Sequence, residues 1–175
     1  MGGHGQEELL ILFPLGEANG LPLHFPQEKE NIMTGHRKPV DTSRQPKDPL
    51  EVVEICDELI MQHRAREAIE RFMHPDMMEH DPTVKGGSRD GLFQYMIDEG
   101  WDEGNSPNRE MVDIVDRRFA SGEFVVTMHH IFRNKDDRGT MFIDVVRVVD
   151  GLIVEHWDVA QAVPETTNDN PHTMW

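Results

Sequence analysis

The pattern of apolar and polar positions divides the chain in two. Before residue 49, glycine and proline recur at Gly16, Gly20, Pro22, Pro26, Gly35, Pro39 and Pro46 with no sustained period, and the only apolar runs are residues 9–15 and 21–25. Residues 1–48 are therefore expected to form an extended N-terminal arm. From Asp48 the pattern becomes helical. Asp48 followed by Pro49 is an N-cap with proline at the first helical position, where the missing N–H costs nothing. Val52, Val53, Cys56, Leu59 and Ile60 then recur at three- and four-residue spacing and form one apolar stripe. A second helix is predicted over residues 65–73, with Ala68, Ile69 and Phe72 on its buried side and Pro75 stopping or bending it. A third is predicted from Ser88, a candidate N-cap, to residue 99, where it groups Leu92, Phe93 and Met96.

The second half changes period. Residues 111–119, 123–133, 140–149 and 152–159 are rich in Val, Ile, Phe and Met and are parted by short polar connections, so they are predicted to be strands of an antiparallel meander. Asp150-Gly151 suits a tight hairpin, because glycine accepts the positive φ such a turn demands. Helices first and a long sheet second give an α+β domain over residues 49–162. A tail over residues 163–175 carries Thr166, Thr167, Asn168 and Asn170 and ends in Met174-Trp175, which suits a cover for a pocket mouth or a subunit boundary.

Composition narrows the function. A length of 175 residues fits one domain with an arm at either end. Asp and Glu number 33 against 17 Lys and Arg, a formal net charge of -16, and such a field repels a phosphate backbone, so no nucleic-acid partner is expected. The single cysteine, Cys56, rules out an internal disulfide. The apolar run 9–15 is too short for a membrane span and lacks the basic flank of a secretory signal, so no membrane association and a cytoplasmic location are expected. Lys85-Gly86-Gly87-Ser88 lacks the pattern of a phosphate-binding loop.

Three segments carry a family likeness. Glu79-His80-Asp81-Pro82, the run from Phe142 through Asp144, Asp150-Gly151 and Glu155-His156-Trp157-Asp158, and the tail Val163-Pro164-Glu165-Thr166 with Asn168 and Asn170 resemble SnoaL-like polyketide cyclase relatives in the nuclear transport factor 2-like superfamily. The likeness spans roughly residues 50–175 and leaves the first 48 unexplained. It implies a cone-shaped curved sheet enclosing a pocket, a homodimer, and ring closure or isomerisation without a cofactor.

Side-chain alternation supplies the candidate chemistry. Phe142, Asp144, Val146 and Val148 share one face of their strand, and Val154, His156 and Asp158 share one face of the next. A carboxylate between Phe142 and Val146 needs a partner or a pocket. The resemblance to ketosteroid isomerases matches Asp144 to their oxyanion-hole aspartic acid, kept protonated to donate a hydrogen bond to an enolate. A structural role, paired with Arg147, His130 or Arg133, is the alternative. Asp81 matches the segment holding their general base, although SnoaL-like relatives more often have Asn after the His, and a turn-capping role toward Pro82 is its alternative. His80 keeps the SnoaL-like pattern and is a candidate base or donor, or else a hydrogen-bonded histidine in the seam between helix and sheet.

Aligning residues 123–132 with the family pattern puts His130, Met128 and Val126 on the pocket side and His129 outside. Phe93, Tyr95, Met96, Phe142 and Val146 complete the expected lining, so the expected ligand is a hydrophobic small molecule bearing a carbonyl or similar oxygen. His80, His130, His156 and Asp158 are a metal-binding alternative on residue type alone, with no diagnostic spacing. Trp157 falls on the face opposite His156, and with Ile143, Val145 and Val125 it is expected to pair with a second subunit. A non-catalytic binding domain, in which His130, Asp144 and His156 form a buried network, is the competing reading.

Overall fold

The computed structural model describes residues 39–102, 111–134, 136–165 and 174. The apolar runs expected to anchor the arm, and the tail from Thr166 to Asn170 with Trp175, lie outside the described residues. Two helices, α1 (Pro49–Met61) and α2 (Ala65–Phe72), precede the first strand of the sheet, and a third, α3 (Arg89–Asp98), lies between its first and second strands. The capping signals act as the sequence suggests. Asp48 Oδ1 accepts from the Glu51 N–H at 3.1 Å, and Ser88 Oγ accepts from the Gly91 N–H at 3.3 Å. Each cap satisfies a first-turn donor that has no partner within its helix.

Five strands follow the order β1-β5-β4-β3-β2, with β1 (Met73–Glu79), β2 (Val112–Ser121), β3 (Phe124–Phe132), β4 (Thr140–Val149) and β5 (Leu152–Ala162). The meander β2 to β5 is antiparallel, as predicted, but the sheet is mixed because β1 pairs parallel to β5. The segment after α2 is thus a strand, where the sequence suggested only a stop at Pro75. Met73-His74-Pro75-Asp76-Met77-Met78-Glu79 contains no β-branched residue, and its proline is tolerated because the strand lies at the sheet edge. The β4–β5 hairpin turns on Asp150 at φ 52° and Gly151 at φ 88°, the paired positive values of a type I′ turn. A Cβ on Gly151 would also meet the Pro46 carbonyl oxygen at 2.8 Å.

The apolar stripe of α1 (Val52, Val53, Cys56, Leu59), with Ala68, Ile69 and Phe72 of α2 and Leu92 of α3, packs onto Val125, Val146, Val148 and Ile153 of the sheet. Phe72 and Leu59 are fully buried, each worth about 1.5–3 kcal/mol. Residues 39–48 lie along this domain: Val40 joins the core, and Arg71 donates to the carbonyls of Thr42 and Arg44, both at 2.8 Å. No helix among the described residues is long and apolar enough to cross a membrane.

Two register details decide which side chains face the helices. Thr127 pairs with Asp144, and Val125 with Val146, so the odd-numbered residues of β3 share the inner face with Asp144. A shift in the β4–β5 register after Arg147 pairs Val148 with Ile153 and brings Ile153, not Val154, to the inner face beside His156. Val125, expected on the outer face, is therefore buried inside.

Candidate active site

The inner face of the sheet and the helices enclose a cavity of about 150 Å³. Val53 and Ile60 of α1, Leu92 and Met96 of α3, and Val125, Phe142, Val146 and Ile153 of the sheet give it apolar walls. Its polar groups are Asp57, Tyr95, Glu99, Asp113, Thr127, Arg133, Asp144, His156 and Asp158.

One residue from each strand forms a chain of alternating charge across the sheet. Asp113 of β2 stands 2.9 Å (Oδ1) from His129 Nδ1 of β3, and His129 Nε2 stands 3.0 Å from Asp144 Oδ2 of β4. Asp144 Oδ2 lies 3.9 Å from His156 Nε2 of β5, and His156 Nδ1 is 2.7 Å from Glu79 Oε2 of β1. Each contact between β2 and β5 joins a residue to the diagonal neighbour of its direct partner, since His129 pairs with Val115 and Phe142, and Asp144 pairs with Asp158. His156 and Glu79 are direct partners.

Both ring nitrogens of His129 face carboxylate oxygens, and each contact needs a proton. Carried on the ring, these two protons make His129 an imidazolium. Burial opposes the cation, but the hydrogen bonds and charges of Asp113 and Asp144 outweigh it and push the imidazole up to about 10. His156 is likewise pushed up to about 10 against burial by Asp144 and Glu79. Burial alone would raise Asp144, yet the two imidazoliums hold its carboxyl well below the usual range. Asp144 is thus an ionised acceptor, the reverse of the protonated donor expected from the ketosteroid isomerase likeness.

Asp158 stands outside this chain. Burial and the nearby charge of Asp81 push it up to about 6, although His156 pulls the other way. It shares the inner face with His156 two residues earlier, about 6.7 Å along the strand. Burial and the charge of Glu99 raise the Tyr95 phenol across the cavity. At the helix side, Asp57 of α1 pairs with Arg118 of β2, whose Nε donates to Thr127 Oγ1 at 3.0 Å. Arg133 donates to Glu99 at 2.9 Å where β3 meets the end of α3.

Of the site residues expected from sequence, Asp144, His156, Asp158, Tyr95, Met96, Phe142 and Val146 line the cavity. The others lie elsewhere. His80 is on the outer side, stacked on Trp157 at 4.5 Å between ring centroids and 3.6 Å from Glu155. Asp81 caps its own turn, accepting from the Thr83 N–H at 2.7 Å and the Thr83 hydroxyl at 2.8 Å. His130, Val126 and Met128 occupy the face opposite His129, because the true register differs by one residue and a one-residue slip exchanges the faces. Burial there pushes His130 down. Phe93 lies under the Arg66 guanidinium at 4.4 Å and does not reach the cavity. His80, His130, His156 and Asp158 are consequently spread over both sides of the sheet and do not gather as a ligand set.

No protein-family model matches the chain, and no curated protein matches it. Solved structures share its fold. A candidate polyketide cyclase from Bacillus cereus is 15% identical with a TM-score of 0.53, over 64% of this chain and 73% of the other. A candidate ketosteroid isomerase from Kribbella flavida is 17% identical with a TM-score of 0.52, over 71% and 83%. An NTF2-like protein of unknown function from Cytophaga hutchinsonii is 11% identical with a TM-score of 0.52, over 67% and 94%. At these identities the likeness is one of fold: the helices and curved mixed sheet have the cone architecture of NTF2-like proteins.

Proposed function

We propose that the protein is an enzyme of proton transfer, needing no cofactor, that isomerises or cyclises a small hydrophobic carbonyl compound. The observation that carries this reading is the placement on one face of β5 of Asp158, a carboxyl pushed up to about 6, and His156, an imidazolium whose Nε2 lies 3.9 Å from Asp144 Oδ2, beyond direct hydrogen-bond distance. The ionised Asp158 takes a proton from the carbon next to the carbonyl, while His156 Nε2–H donates a hydrogen bond to the oxygen that becomes the enolate. Asp158, now protonated, returns that proton to another carbon of the same molecule, giving an isomer, or to the alkoxide formed when the enolate carbon attacks a second carbonyl, giving a ring. Asp144 serves neither step directly and fixes the charge of the site.

A cavity of about 150 Å³ is of the size that accommodates a benzene-sized ligand, so the compound is on the scale of one ring. The competing reading, a non-catalytic small-molecule binder on the same fold, draws support from the mutual satisfaction of Asp113, His129 and Asp144. Exchange of α-protons for deuterium, followed by NMR on single-ring ketones and β-keto compounds, separates the two. The enzyme reading expects exchange well above buffer and a loss of about 10²–10⁴-fold in Asp158→Asn. Compounds that bind without accelerated exchange would favour the binder.

A further inference from the structure

Glu79 belongs to no expected catalytic set, yet its side chain has no exposure to solvent at all. A carboxylate taken so completely from water needs compensating partners. It has two: Oε2 lies 2.7 Å from His156 Nδ1, and Oε1 accepts from the Asp81 N–H at 2.9 Å. Both oxygens are thereby committed and the carboxylate cannot swing. The strand pairing Glu79 with His156 holds the two backbones in register as well, and the His80 N–H donates to the His156 carbonyl at 2.9 Å.

The other nitrogen of the ring shows what this contact achieves. His156 Nε2 faces Asp144 Oδ2 at 3.9 Å. A neutral ring with its proton on Nδ1 would direct an Nε2 lone pair toward that carboxylate, an unfavourable arrangement, whereas an N–H there is attracted to it. The carboxylates around His156 act in the same direction, Glu79 from β1, Asp144 from β4 and Asp158 from β5, while Asp81 in the turn after β1 acts on Asp158. From α1, Asp57 is paired with Arg118 of β2. The neighbouring cation, His129, is shared between Asp113 and Asp144.

We propose that Glu79 is a positioning residue that holds the His156 ring with a proton on each nitrogen, so that Nε2 presents a permanent hydrogen-bond donor to the cavity. The consequence for catalysis rests on the proposed role of His156; the state of the ring does not. In this arrangement His156 never serves as a base at neutral pH, and the base must be a different group. Glu79 also ties the donor to the turn carrying Asp81, whose charge helps set Asp158, so one buried carboxylate links the donor with the surroundings of the base.

The test is the protonation of the His156 ring, read by ¹⁵N NMR from pH 6 to 11, with the resonance assigned by its absence in His156→Gln. The wild-type ring is expected to keep both protons through neutral pH and to titrate near 10. In Glu79→Gln one amide oxygen must serve both former contacts and the charge is gone, so the midpoint of titration should move down by about one to three pH units. In turnover of any compound the wild type exchanges, Glu79→Gln should lower kcat increasingly as pH rises, with KM changed much less. A wild-type ring carrying one proton at pH 7 overturns the proposal without any variant, even if Glu79→Gln does not fold. So does a variant whose ring titrates like the wild type. A two-proton ring in a protein that exchanges no substrate supports the positioning role and counts against the catalytic one.

Discussion

His129 Nε2 stands 3.0 Å from Asp144 Oδ2, while its Nδ1 stands 2.9 Å from Asp113, so one imidazolium bridges β2 and β4 through β3. This bridge sets the charge of Asp144. A carboxylate between the two rings accepts from His129 and attracts His156 at 3.9 Å, holding the two cations together against their mutual repulsion. Asp144→Asn removes that charge and leaves two buried cations facing an amide. Breaking a buried ion pair from one side costs about 3–5 kcal/mol. Urea unfolding of Asp144→Asn should show a loss of this order, and a variant as stable as the wild type would contradict the charged bridge.

The same two imidazoliums make stability fall on the alkaline side. His129 and His156 are pushed up to about 10 from an ordinary 6.5, so above pH 6.5 the folded protein keeps protons that the unfolded chain releases. Their contribution is complete below pH 6.5, declines as pH rises, and is gone once pH passes through about 10. Melting temperature should therefore drop between pH 7 and 10, and His129→Gln, although less stable at pH 7, should show a shallower drop. Asp144, held low, acts oppositely: its contribution is present above the ordinary carboxyl range and is lost as pH falls through its lowered value.

Asp158 predicts a different dissociation of activity from stability. Its carboxyl, pushed up to about 6, must be ionised to act as a base, so kcat/KM should rise with pH to a plateau with an apparent midpoint near 6. Burying that charge near Asp81 and Asp144 is unfavourable above the midpoint, so Asp158→Asn should melt no lower than the wild type at pH 8 while its turnover collapses. A flat pH profile between 5 and 7 would remove Asp158 from the role of base.

Much of this architecture is legible in the sequence, and the limits have physical causes. Asp48-Pro49, Ser88 and Asp150-Gly151 act locally, and each forms the cap or turn its residue types favour. The inner-face placement of Asp144, His156 and Asp158 follows from period-two alternation within single strands. The partners of Asp144 do not, because alternation says nothing of the register between strands. Placing His130 beside Asp144 needs a register one residue from the true one, and only the pairing of Thr127 with Asp144 reveals His129 as the inner histidine. The roles of Glu79 and Asp113 are hidden from the sequence for related reasons. Glu79 lies in a strand without β-branched residues, whose burial at Met73, Met77 and Glu79 becomes readable only once the segment is known to be a strand. Asp113 reaches His129 only through a diagonal contact across the sheet.

The outer face of the sheet provides the last prediction. Because the odd positions of β3 turn inward, Val126 and Met128 turn outward and continue two cross-strand rows: Phe119, Val126, Val145 and Trp157 in one, and Arg117, Met128, Ile143 and Val159 in the other. Phe119, Phe124, Ile143 and Val159 are large apolar side chains left exposed on the single chain. Apolar surface gathered this way marks an interface more often than a solvated face, and two copies of such a row can meet about a two-fold axis, where a residue near the axis meets its own copy. The protein is therefore expected to be a homodimer through this face. Ile143 sits toward the middle of its row, so Ile143→Lys would place two like charges near each other across the axis as well as burying them. Sedimentation at micromolar concentration should find the wild type dimeric and Ile143→Lys monomeric, with the near-UV circular dichroism of the fold retained. A wild type that stays monomeric at tens of micromolar would show that this face does not pair with a second copy.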